Sequence, residues 1–195
     1  MRIRNIIPIL AITTLLASCG QKTNNTAQIK PTTAVQTEET ANIIPDFRMS
    51  SIDGNEVSAL EEAAKHKVTV IDFWASWCGP CLRDMPGLVA TYNKYKDKGL
   101  GIIGVSLDQD RTSWEEAVKR LGMTWIQLSD LQGWDNAAAQ LFGVQAIPFT
   151  VIIDKDGKLI EAGLRGEGLD KKIASLLDNS PLKYVLSNIF RPFYI

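Results

Sequence analysis

Cys78 and Cys81 stand three positions apart in Cys78-Gly79-Pro80-Cys81. Thiols at this spacing can hold a metal, staple a small loop or exchange electrons. Structural zinc ordinarily takes four Cys or His ligands. The chain has three cysteines and one histidine, and His66, between Lys65 and Lys67, reads as an exposed residue at a helix end. No metal and no other cofactor is therefore expected. A bridge closing so short a loop adds little stability, because the unfolded-state entropy it removes grows with loop length. Redox exchange remains, in which one thiolate attacks a disulfide and a second thiol resolves the mixed disulfide.

The flanking sequence positions such a pair. Val68 to Trp74 is a tight run of Val, Ile, Phe and Trp broken by Thr69 and Asp72, and it predicts a buried central strand. After Ala75-Ser76-Trp77 and the two cysteines the pattern turns helical. Leu82, Met85, Leu88, Val89 and Tyr92 recur at helical spacing, with an end near Lys98-Gly99. Cys78 thus falls where a strand delivers the chain to a helix N-terminus, whose unpaired amides and dipole favour a thiolate. Cys81 is one turn further in, placed to resolve. Pro80 suits the first turn, having no amide hydrogen to lose. Asp72 is the one strongly misplaced charge; burial would raise its pKa, and a carboxylate there could take the Cys81 proton.

Ile71-Asp72-Phe73-Trp74-Ala75-Ser76-Trp77-Cys78-Gly79-Pro80-Cys81 resembles the active site of the thioredoxin superfamily almost residue for residue. The resemblance implies that Asp72 is the family's buried acid, and that Pro86 kinks the active-site helix. It also implies that Pro148, in Gly143-Val144-Gln145-Ala146-Ile147-Pro148, is a cis-proline facing the cysteines, ahead of a strand from Phe149 to Ile153. Substrate would then meet Trp77, Gly79, Pro80 and Ile147. The implied fold is α/β, a thioredoxin-like three-layer α/β/α sandwich over residues 43–178.

Pro45-Asp46-Phe47 and the run to Val57, turning at Asp53-Gly54, predict an N-terminal hairpin before this core. A strand is expected over Leu100 to Leu107. A central insertion follows, with a capping-box spacing at Thr112-Ser113-Trp114-Glu115, a helix ending near Gly122 and a strand from Thr124 to Leu128. Asp154-Lys155-Asp156-Gly157 turns a last hairpin, and Leu169 to Leu177 forms a closing helix. Together with an export signal and tether, these features resemble the membrane-tethered TlpA/ResA-like branch. Two departures stand out. No lysine occupies the position that pairs with the buried acid in thioredoxin. Gly79-Pro80 also replaces the Glu that some ResA-like members carry between their cysteines, so their selectivity does not transfer.

The N-terminal segment carries Arg2 and Arg4, then an apolar run of about eleven residues from Ile6 to Leu16, too short to span a bilayer but suited to a secretory signal. Leu16-Ala17-Ser18-Cys19 resembles a bacterial lipobox, which implies a signal peptide over 1–18 and a lipid on Cys19. The Thr-, Asn- and Gln-rich stretch that completes residues 19–42 buries too little to fold and is expected to be a disordered tether. Residues 179–195 form an amphipathic tail with Leu182, Val185, Leu186, Ile189 and Phe190 at helical spacing, role unknown.

The formal charge is −1; removing a segment with Arg2 and Arg4 leaves 19 of 21 basic residues against 22 acidic ones, or −3. Nothing there suggests nucleic acid, which calls for a basic face. The expected activity is thiol–disulfide exchange with exported proteins, the domain facing the periplasm from a lipid-anchored position. Gly79-Pro80 resembles the reducing end of the superfamily, so a membrane electron relay is expected as reductant. Two alternatives are weaker. A peroxiredoxin-type peroxidase wants a Thr or Ser one turn before its cysteine and an arginine for peroxide, and a copper metallochaperone wants a downstream histidine.

Overall fold

A computed structural model of the chain describes residues 42–178. The signal segment, Cys19, nearly all of the tether and the tail lie outside the described residues. The core is a five-stranded sheet in the order β5-β4-β3-β6-β7. Its strands are β3 (Val68–Trp74), β4 (Leu100–Ser106), β5 (Ile126–Leu128), β6 (Phe149–Asp154) and β7 (Leu159–Ala162). β3 pairs parallel with β4 and antiparallel with β6, so it is central, and all seven of its residues are buried. A strand shielded on both faces needs an apolar run rather than alternation, which Val68 to Trp74 supplies.

Successive β3 side chains point to opposite faces. On one face Asp72 looks toward α2 (Gly79–Tyr95) and α5 (Gly166–Leu177), which pack together there. On the other, Phe73 meets Phe142 at 5.6 Å between centroids, and Phe142 meets Phe47 edge-on at 6.0 Å. Phe142 follows α4 (Ala137–Leu141), and Phe47 precedes the N-terminal hairpin of β1 (Arg48–Ser50) and β2 (Glu56–Ser58). Cover on both faces makes the expected three layers.

The insertion between β4 and β6 holds α3 (Arg111–Leu121), β5, a 3₁₀ turn over Gly133–Asp135 and α4. Here the structure corrects the expected start of α3. Asp110, not Thr112, is the N-cap, its carboxylate accepting from Ser113 N at 2.8 Å. A carboxylate caps as well as a hydroxyl and stands two residues earlier. Gly122 ends the helix at φ 68°, the left-handed cap that glycine adopts without strain. His66 is also corrected. It is half-buried, because its ring lies over Gly101, where an added Cβ would sit 2.2 Å from the imidazole. Of the two short helices, α1 (Ala59–Ala63) was foreshadowed only by the helix end read at His66, and α4 had no counterpart in the sequence reading.

Candidate active site

Cys78 is the N-cap of α2 and is joined to Cys81 by a disulfide, S–S 2.05 Å. Its Sγ accepts from Cys81 N at 3.2 Å, one of the amides that a helix start leaves without an intrahelical partner. Opposite, the Ile147 carbonyl oxygen lies 3.7 Å from Cys78 Sγ. The Ile147-Pro148 bond is cis. The two sulfurs differ in access: Cys78 is 5% exposed and Cys81 1%, while Trp77 beside them is 54% exposed. Gly79 and Pro80 are exposed, and Ile147 and Pro148 half-buried. Trp77, Cys78, Ile147 and Pro148 therefore share one surface, and Cys81 looks inward. Pro86 lies inside α2, as expected.

The loop that carries Trp77 is held from below. The buried carboxylate of Asp108, just past β4, accepts from Ser76 N at 3.0 Å, Ser76 Oγ at 2.6 Å and Ser106 Oγ at 2.6 Å. Within the sheet, Trp74 Nε1 donates to Gln127 Oε1 at 3.1 Å across Gly104, where a Cβ would collide with the amide.

Behind the disulfide, α2 and α5 enclose a cavity of about 550 Å³ whose walls include Asp72, Cys81, Asp84, Pro148, Thr150 and Arg165. Asp72 is 4% exposed, and burial pushes its carboxyl from the ordinary 3.8 up to about 7, the negative charge of Asp84 adding to the rise. Asp84 is drawn the other way, toward Arg165 Nη1 at 3.7 Å. Among the described residues Arg165, Lys94 and Lys171 reach the cavity wall, yet none holds the Asp72 carboxyl in an ion pair. Asp72 and Cys81 thus line one cavity, and a carboxyl raised toward neutrality by burial is of the kind suited to general acid–base work.

Asp108, Asp84 and Arg165 escaped the sequence reading. Each acquires meaning only through a contact made in space, although an acid directly after an apolar strand was a faint signal for Asp108. Among the described residues no group of three or more His, Cys, Asp or Glu could hold a metal ion, and no helix is long and apolar enough to cross a membrane.

Residues 39–177 match the family model described as Redoxin. The chain is 32% identical over 127 residues to the thiol-disulfide oxidoreductase ResA of Geobacillus thermodenitrificans, covering 65% of this chain and 68% of that protein. It is 29% identical over 133 residues to ResA of Bacillus thuringiensis, covering 68% and 73%. Among solved structures, a thiol-disulfide oxidoreductase from Bacteroides fragilis superposes with a TM-score of 0.65 at 29% identity, covering 69% of this chain and 99% of that one.

Proposed function

We propose that this chain, which belongs to the Redoxin family and is a thiol–disulfide oxidoreductase of the TlpA/ResA-like kind, reduces disulfides in exported proteins outside the cytoplasm. The observation that carries the reading is the split setting of its cysteine pair. Cys78 caps a helix at the surface beside Trp77 and Ile147, and Cys81 faces the Asp72 cavity.

In the reduced protein the Cys78 thiolate, favoured by the α2 N-terminus, attacks one sulfur of a substrate disulfide. A substrate thiolate leaves, and a mixed disulfide joins substrate to Cys78. Cys81 then gives its proton to the Asp72 carboxylate and attacks Cys78 Sγ. The second substrate thiolate leaves, and the Cys78–Cys81 disulfide forms. Two electrons have passed to the substrate. Trp77, Gly79, Pro80, Ile147 and Pro148 form the surface against which the substrate lies.

Each turnover leaves the pair oxidised, in a compartment where disulfides form readily. A dithiol donor must restore it, and a membrane electron relay is the class of donor that can reach an exported domain. Lipid on Cys19, after a signal peptide over 1–18 and ahead of a tether, would keep the domain near that relay. Expressed in a bacterium, the protein should fractionate with membranes, and Cys19→Ser should abolish this; mature wild-type protein that is soluble and lipid-free would refute the anchor. A glutathione redox titration tests direction. The expected potential is nearer thioredoxin's, about −270 mV, than DsbA's, about −120 mV, and a value near the latter would make the chain an oxidant.

A further inference from the structure

Two large aromatic side chains stay exposed beside the redox disulfide. Trp77 is 54% exposed and Trp134 45%, with ring centroids 6.2 Å apart and planes inclined at 54°. Trp77 belongs to the loop entering the active site. Trp134 comes from the insertion, nearly sixty residues later in the chain, and has no place in the chemistry above. Burying an indole in the fold would stabilise it by some kcal/mol, so two left half in solvent and in contact call for an explanation.

The backbone that presents Trp134 is costly. Leu131 takes φ 59°, a left-handed conformation that a branched, non-glycine residue rarely adopts. Gly133 is buried at φ 62°, and a Cβ there would press on the Gln109 side chain at 3.1 Å. Asn136 is 0% exposed; it donates to Asp130 Oδ1 at 2.8 Å and caps α4 through Ala139 N at 2.9 Å. Asp130 also accepts from Ala137 N at 2.8 Å, and Gln140 Nε2 donates to the Trp134 carbonyl at 2.7 Å. The turn is strained, polar-buttressed and fixed.

It is also tied to the Trp77 loop. Ser76 donates to Asp108, Asp108 bonds Ser106, the Ser106 carbonyl accepts from Ser129 Oγ at 3.0 Å, and Ser129 Oγ accepts from Leu131 N at 3.1 Å. Hydrogen bonds through Asp108, Ser106 and Ser129 thus link the Trp77 loop to the turn that presents Trp134.

From this we infer that Trp134 is a specificity-determining residue, which with Trp77 receives an apolar or aromatic side chain next to the substrate cysteine attacked by Cys78. The occupant is a segment of incompletely folded substrate polypeptide. Its position follows from continuity with the reacting sulfur, since Trp77 adjoins Cys78 and the rest of this surface, Pro80, Ile147 and Pro148, is apolar. A folded substrate would keep such a side chain inside; an unfolded one offers it beside its disulfide. The inference rests on the reductase reading and adds a selection rule to it.

Pre-reduced full-length protein is mixed with synthetic peptides that each hold one intramolecular disulfide, with phenylalanine, glycine or lysine on both sides of its cysteines. The second-order rate constant of reduction is read for each. The wild type should favour the phenylalanine over the glycine peptide by roughly 2- to 13-fold, the range of an aromatic contact. Trp134→Ala should reduce that ratio at least twofold, and Trp134→Phe should retain it. A ratio that falls less in Trp134→Ala overturns the inference, because a merely structural Trp134 would slow all peptides in parallel. An equal loss in Trp134→Phe, or a lysine peptide reduced faster than the phenylalanine one, overturns it too. Wild-type protein that reduces no peptide would instead defeat the reductase reading, and this inference with it.

Discussion

The two ends of one disulfide live in opposite electrostatic settings. On the outer side, Cys78 Sγ accepts from a helix amide and adjoins the exposed Trp77. On the inner side, Cys81 is 1% exposed and shares a cavity wall with Asp72 and Asp84. Backbone dipoles favour negative charge at the first sulfur. The buried carboxyl of Asp72, with the exposed Asp84 on the same cavity wall, opposes it at the second. The proposed mechanism gives residues three apart different jobs on this ground, Cys78 to attack and Cys81 to hold its proton until a base takes it. Sequence spacing makes a pair; the helix end and the cavity make it asymmetric.

Removing the inner thiol should break the asymmetry most completely. Cys81→Ala leaves attack intact but abolishes intramolecular resolution. Turnover of a peptide disulfide should fall at least roughly a thousandfold, since a tethered thiol acts at a very high effective concentration. The protein should accumulate as a mixed disulfide on Cys78, visible by mass spectrometry; an untrapped, active variant would show that Cys81 is not the resolving residue.

Asp72→Asn sharpens the inner half. A carboxyl raised from 3.8 to about 7 in the folded protein favours folding most below pH 3.8. That stability is lost as pH rises through about 7, because ionisation is easier in the unfolded chain. The variant should therefore be more stable than the wild type at pH 8, by no more than about 4 kcal/mol, and should lack the decline between pH 4 and 7. Urea unfolding across that range checks it. If Asp72 takes the Cys81 proton, single-turnover resolution also slows by roughly 100-fold or more. Unchanged resolution in a folded variant would leave Asp72 a structural residue.

What was legible in the sequence follows the same division between local and distant causes. β3, the Cys78 cap and α2 could be read directly, because a buried strand and an amphipathic helix write their periods into neighbouring residues. The Pro148 loop was legible through family resemblance; its approach to Cys78 joins residues 69 positions apart, and no local pattern encodes it. α1 and α4, at five residues each, are too short to show a period. The α3 cap was misplaced because Asp110 and Thr112 both have capping side chains, and only the fold selects Asp110. Asp84, Asp108 and Trp134 look like ordinary surface or loop residues until tertiary contacts bring them to the disulfide.

The asymmetry itself is most directly measured by alkylation. The reduced protein is treated at pH 7 with less than one equivalent of iodoacetamide, and the label is located by peptide mass mapping. Label confined almost wholly to Cys78 is the predicted result, since the thiolate is the reactive form and Cys78 is both favoured as an anion by the helix end and the less buried of the two sulfurs. Label on Cys81, or divided equally between the two, would contradict the account.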